Sequence, residues 1–319
     1  MRHYFLFLVL SVALFSCKDT AKNRVDVSDI EVAIKVKRFD RDFYLRGKEN
    51  LDQLKGAYPM LFPESTPDSI WLAKISDVDE QALFNETQKI YEDFSKTEKE
   101  LTHLFQHIKY HNPAFEVPEI ITVLSNVDYE YRVIYSGTLL FISLDVYLGK
   151  ESKFYADYPD YIKENNKPER IAIDVVNQII SSQLPPIQNR TFLGKMIAAG
   201  KRLYLIDAYV PDASDEVKIG YSKEKLAWAA ANESEIWRYF IENDLLYSTD
   251  TKLNQRFLDE APFSKFYLAH DSSSPGRIGE WMGWQIVRSF MEKNDVSLQS
   301  LLQMNEEELF KKASYKPKK

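Results

Sequence analysis

Near the C-terminus, the stretch DSSSPGRIGEWMGWQIVRSFMEKND, Asp271 to Asp295, constrains the fold of this chain more than any other. Ile278, Trp281, Met282, Ile286, Val287 and Phe290 recur at three- and four-residue spacing, the period of a helix with one buried face. Ser272, Ser273 and Ser274 offer hydroxyl caps, and Pro275 suits a first helical turn because its missing donor costs nothing there. Gly279 and Gly283 stand four apart on this helix, each costing about 1 kcal/mol against alanine. The pair predicts a second backbone passing so close that only an absent side chain admits it.

The N-terminus reads as a targeting device. Arg2 is followed by an apolar run from Phe5 to Phe15, too short to span a bilayer, and then by Leu14-Phe15-Ser16-Cys17. The small residue before Cys17 resembles a bacterial lipobox, so residues 1–16 are expected to be a lipoprotein signal peptide and Cys17 the lipidated residue. Cys17 is the only cysteine, so no disulfide forms within one chain. Lys18, not aspartate, follows it, which leans toward the outer membrane. Residues 17–29 read as a flexible tether, 30–310 as a single domain, and 311–319 as a solvated, frayed basic tail. A net charge of −7 argues against nucleic acid as the main partner.

Leu83 to Tyr110 predicts a long helix, with His103, His107 and His111 at four-residue spacing. His103 falls opposite the apolar stripe, so the trio is assigned to solvent and not to a metal. Glu119 to Asn126 is strand-like, and Ser136-Gly137 between two apolar runs predicts a hairpin. The order of helix, strand, hairpin and helices gives an α+β fold, mostly helical with a small sheet. Aromatic residues Phe154, Tyr155, Tyr158 and Tyr161 mark a loop that either covers a core edge or forms a recognition surface.

Arg170 to Leu184 predicts a helix with a polar stripe of Asp174, Asn177, Gln178 and Ser181. Ser222 to Leu246 predicts another, with Glu233 on its apolar face, where a carboxylate must be paired or protonated. Arg277 is the partner suggested for it.

The blocks PGRIGEWMGWQIVRSF, KYHNPAFEVPEIITVLSNVDY, VIYSGTLLFISLDVYLG, GKRLYLID, NESEIWRYFIENDLLYSTD and LNQRFLDEAPFSKFYL resemble the GldB family of gliding-motility lipoproteins of the Bacteroidetes, from about Lys35 to Lys293. That family is also distantly similar to predicted zinc-dependent proteases that share the Pro-Gly-Arg helix. That likeness implies a zincin-like scaffold. A zinc protease needs two histidines at i, i+4 with a glutamate beside the first. No histidine occurs between residues 112 and 269, and the stripe offers Asp174, Asn177, Gln178 and Ser181 instead. The expectation is therefore a non-catalytic relative with no metal and no cofactor. Asp174, Asn177, Gln178, Glu233 and Arg277 would be its remnant site. The resemblance implies other gliding-motility or secretion proteins as partners. The alternatives are a divergent hydrolase built around Glu233, Asp174 and His270, or a periplasmic ligand-binding lipoprotein using the Tyr-rich loop.

Overall fold

Two helices crossing through glycine organise the computed structural model, which describes residues 25–318. The signal peptide, Cys17 and the start of the tether lie outside the described residues. In chain order the main elements are β1 (Val36–Lys37), α1 (Gly47–Ala57), α2 (Asp68–Ser76), α3 (Val78–Tyr91), α4 (Ser95–His111), β2 (Glu119–Val123), β3 (Val133–Tyr135) and β4 (Leu139–Ser143). They continue with α5 (Ile171–Gln183), α6 (Phe192–Tyr209), α7 (Asp215–Ile219), α8 (Lys223–Ala231), α9 (Glu233–Glu242), α10 (Lys252–Phe257), α11 (Ile278–Lys293), α12 (Leu298–Gln303) and α13 (Glu306–Ala313).

The fold is mostly helical α+β, with a mixed sheet in the order β1-β2-β4-β3. β1, β2 and β4 run parallel, and β3 joins β4 as the expected hairpin through Gly137, at φ +83°. Alternation along the strands divides the apolar side chains. Ile120, Leu140, Ile142 and Val133 enter the main core with residues of α4, α5, α6 and α11. Ile121 faces the smaller N-terminal cluster of Phe43, Tyr44, Leu54 and Tyr58, with Phe141 packed at its edge.

The glycine pair of the C-terminal signature meets what the sequence predicts. A Cβ on Gly283 would lie 1.7 Å from the Met196 carbonyl oxygen of α6, and one on Gly200 would lie 2.2 Å from the Gly283 carbonyl oxygen. The start of α11 differs from the expectation. It begins at Ile278, and the preceding Arg277 is left-handed at φ 54°. The serines instead form a short turn, Asp271–Ser273, and the Ser274 hydroxyl is bonded to Ser264 and to the Asp271 carbonyl.

Three further expectations are corrected. The helix expected over 83–110 is two, broken between Tyr91 and Ser95. The one expected over 222–246 breaks at Asn232, which makes Glu233 the first residue of α9. The C-terminal tail is not frayed: α13 runs to Ala313, Leu309 and Ala313 are buried, and Tyr315 packs edge-on to Trp237 at 5.3 Å. The Tyr-rich loop covers a core edge. Tyr155 is fully buried, donating to the Asp145 carbonyl at 2.7 Å, and Tyr158 donates to the Val127 carbonyl.

The histidine trio is only partly on solvent. His103 and His111 are half-buried, and His107 is 1 % exposed. Each four-residue step turns about 40° around a helix, so the trio drifts from the solvent side toward Leu104 and under α6. His111 lies 5.9 Å from Tyr209 between ring centroids, and His107 Nδ1 and His111 Nε2 are buried without partners. Burial, with the neighbouring His103 and His111, pulls the His107 pKa down to about 4. The unfolded chain protonates first, so the stability of neutral His107 is present above about pH 6.5 and is lost as pH falls toward 4. Asp145 opposes this, because burial pushes its carboxyl up to about 6 against the bonds it accepts from Val127 and Ser125. The difference between parent and His107→Leu isolates the histidine. The parent should lose more melting temperature than the variant between pH 6.5 and 4. Parallel pH profiles would contradict this burial.

Candidate functional site

The expected remnant residues do not converge. Asp174 accepts from Arg170 Nη2 at 2.7 Å and from the Tyr147 hydroxyl at 2.9 Å. Glu233 is paired with the C-terminal tail and not with Arg277: the Tyr315 hydroxyl donates to it at 2.7 Å and the Lys318 amide at 3.0 Å. The sequence missed this partner because it read the tail as solvated. Arg277 instead donates to the Ile219 carbonyl at 2.7 Å and pairs with Glu280 at 3.4 Å. Arg170 donates to the Val217 carbonyl, so two arginines from distant elements cap the carbonyl end of α7. Gln178 and His270 are exposed, and Asn177 is half-buried. Asp174, Glu233 and His270, the trio of the hydrolase alternative, share no bonding partner.

A second set of charges lies inside the α6–α11 pair and was missed from sequence. Asp207, 3 % exposed, accepts from Lys218 at 3.0 Å, from Trp284 Nε1 at 2.9 Å, and from Arg288 Nε and Nη2 at 2.8 Å each. Arg288 also holds Asp215 at 2.6 and 2.8 Å and lies over the Trp284 ring at 3.6 Å. Two acids and two bases balance, which is what allows charge this deep. Burial works against the charged carboxylate of Asp215, but its bonds to Arg288 still hold it below the usual range. The one sequence signal was an aspartate inside the apolar run LYLID.

The polar stripe of α5 does reach open space at its end. Ser181 lines a cleft of about 550 Å³ whose floor is α6. In that helix only Lys195, Ala198, Ala199 and Arg202 are not buried, and all four line the cleft. Their spacing of i, i+3, i+4 and i+7 is a single helical face. The 185–190 segment forms one wall, and Leu258, Asp259, Glu280 and Leu302 lie opposite. Arg202 Nη2 pairs with Glu280 at 2.8 Å, while its Nε is buried with no partner. Lys195 donates only to the Asn254 amide oxygen, at 3.0 Å. Lys201 is fixed by Glu306 at 3.0 Å and by the Met304 carbonyl at 2.5 Å. The Ser181 hydroxyl donates back to the Asn177 carbonyl at 2.7 Å. The cleft thus keeps Arg190 and Lys195 without an ion-pair partner among the described residues, over a small-residue floor.

Among the described residues, no three or more His, Cys, Asp or Glu are grouped to hold a metal ion, and no helix is long and apolar enough to cross a membrane.

The fold and cleft define a class: a mostly helical α+β protein built on a glycine-crossed helix pair, with a cleft of mixed charge over its central helix. The family model described as "Gliding motility protein GldB" matches residues 20–317, and the chain belongs to that family. No curated protein and no solved structure matches it.

Proposed function

We propose that this gliding-motility protein is a lipid-anchored component of the cell envelope that serves motility and its associated secretion machinery by binding partner proteins, without catalysis. Family membership supplies the process. The observation that carries the non-catalytic reading is the pairing of the remnant carboxylates: Asp174 with Arg170 and Tyr147, Glu233 with Tyr315 and Lys318. Bonds of this kind fix an interior, and they give both carboxylates a structural role.

The anchor rests on the sequence alone, on Cys17 after Leu14-Phe15-Ser16. Buried lipid CH₂ groups contribute about 0.8 kcal/mol each, so several chains make detachment negligible. Lys18 favours the outer membrane, with the domain facing the periplasm. The partners are other motility or secretion proteins. The expected result is that Cys17→Ala moves the chain from the membrane to the soluble fraction and stops colony spreading. A variant that remains in the membrane fraction would remove support for the anchor, and normal spreading from a soluble pool would show the anchor unnecessary.

A further inference from the structure

We propose that the cleft over α6 binds an acidic peptide segment of a partner protein, its carboxylates on Arg190 and Lys195 and an apolar side chain on the Ala198–Ala199 floor. This rests on the partner-binding reading above and names the site that would carry it.

Four observations converge. The central helix, buried along the rest of its length, opens only on the face that floors this cleft. On the open face Lys195 and Arg202 flank Ala198 and Ala199, so a chain laid across it meets charge at both ends and space between. Two cations are underused: Arg190 makes no ion pair among the described residues, and the acceptor of Lys195 is the neutral Asn254 amide. Finally, this cationic face belongs to a chain of net charge −7, so it stands out from its own surface.

The size and the apolar wall favour peptide over a small anion. A volume of about 550 Å³ is far larger than one phosphate. Asp259, Glu280 and Glu306 also line the cleft, Glu280 paired with Arg202 and Glu306 with Lys201. Leu184, Leu258 and Leu302 add apolar wall that only a side-chain-bearing ligand uses.

The test uses the full chain in detergent and the fluorescence anisotropy of a short labelled peptide alternating leucine and glutamate. The glutamate peptide should bind, and its glutamine counterpart should bind about tenfold or more weakly. Arg190→Gln with Lys195→Gln should weaken the glutamate peptide by a similar factor at an unchanged melting temperature. Ala199→Trp, which fills the floor, should abolish binding. Equal affinity for both peptides, binding undiminished by Ala199→Trp, displacement by millimolar inorganic phosphate, or no binding of the glutamate peptide would each overturn the proposal. A peptide that binds and is recovered cut would uphold the cleft and overturn the non-catalytic reading. Failure to bind leaves the Cys17 result untouched.

Discussion

Gly283→Ala should lower stability by about 3 kcal/mol or more, at the upper end of overpacking costs. The added carbon would stand 1.7 Å from the Met196 carbonyl oxygen, and the group it strikes is backbone, not a side chain free to rotate. α6 and α11 must separate along their length, and the core built on both loosens with them. At about 2 °C per kcal/mol for a chain of this size, the melting temperature should fall by roughly 6 °C. Gly279→Ala supplies the contrast. Its Cβ would lie 2.9 Å from the Phe257 carbonyl oxygen and 3.0 Å from a Leu258 methyl, a strain offset in part by about 1 kcal/mol of helix propensity. Circular dichroism melts of both variants check the ordering. A Gly283→Ala protein melting with the parent would mean that the helices do not cross at this residue.

Asp207→Ala should cost about 3–5 kcal/mol, the penalty for breaking a buried ion pair from one side. It deletes the acceptor of four hydrogen bonds and leaves Lys218 and Arg288 with Asp215 as their one remaining acid. A surface pair gives the control. Lys55 and Asp68 are bonded at the surface, both partly exposed, so Lys55→Ala should cost about 0–1 kcal/mol. Urea unfolding of the two variants separates these cases. Equal midpoints would show that the Asp207 network is not what joins α6, α7 and α11.

The parts of this architecture legible in sequence are those with local causes. The apolar period of the C-terminal helix, the hairpin at Ser136-Gly137 and the glycine pair each follow from spacing within a few residues. The α11 start was misplaced because three serines and a proline offered caps, while the actual entry is a left-handed arginine that no propensity favours. The histidines were misassigned because one phase was carried along a helix that turns about 40° per four-residue step, and because α6, nearly a hundred residues later, covers the face they drift onto. The ion network was out of reach for a simpler reason: Asp207 and Arg288 are 81 residues apart, and nothing local pairs them. The cleft lies between these cases. Lys195 and Arg202 could be read as one face, but the two alanines between them look like core until burial shows them open.

The central claim is that this chain serves motility by binding and not by cutting. The most direct measurement is to incubate the purified full chain, supplied with zinc, with a degenerate peptide pool and to read new termini by mass spectrometry. The account predicts no cleavage above a chain-free control, and no stoichiometric zinc retained after dialysis. New termini that disappear in Glu233→Gln or Asp174→Asn, at unchanged fold, would contradict it and make the paired carboxylates catalytic groups.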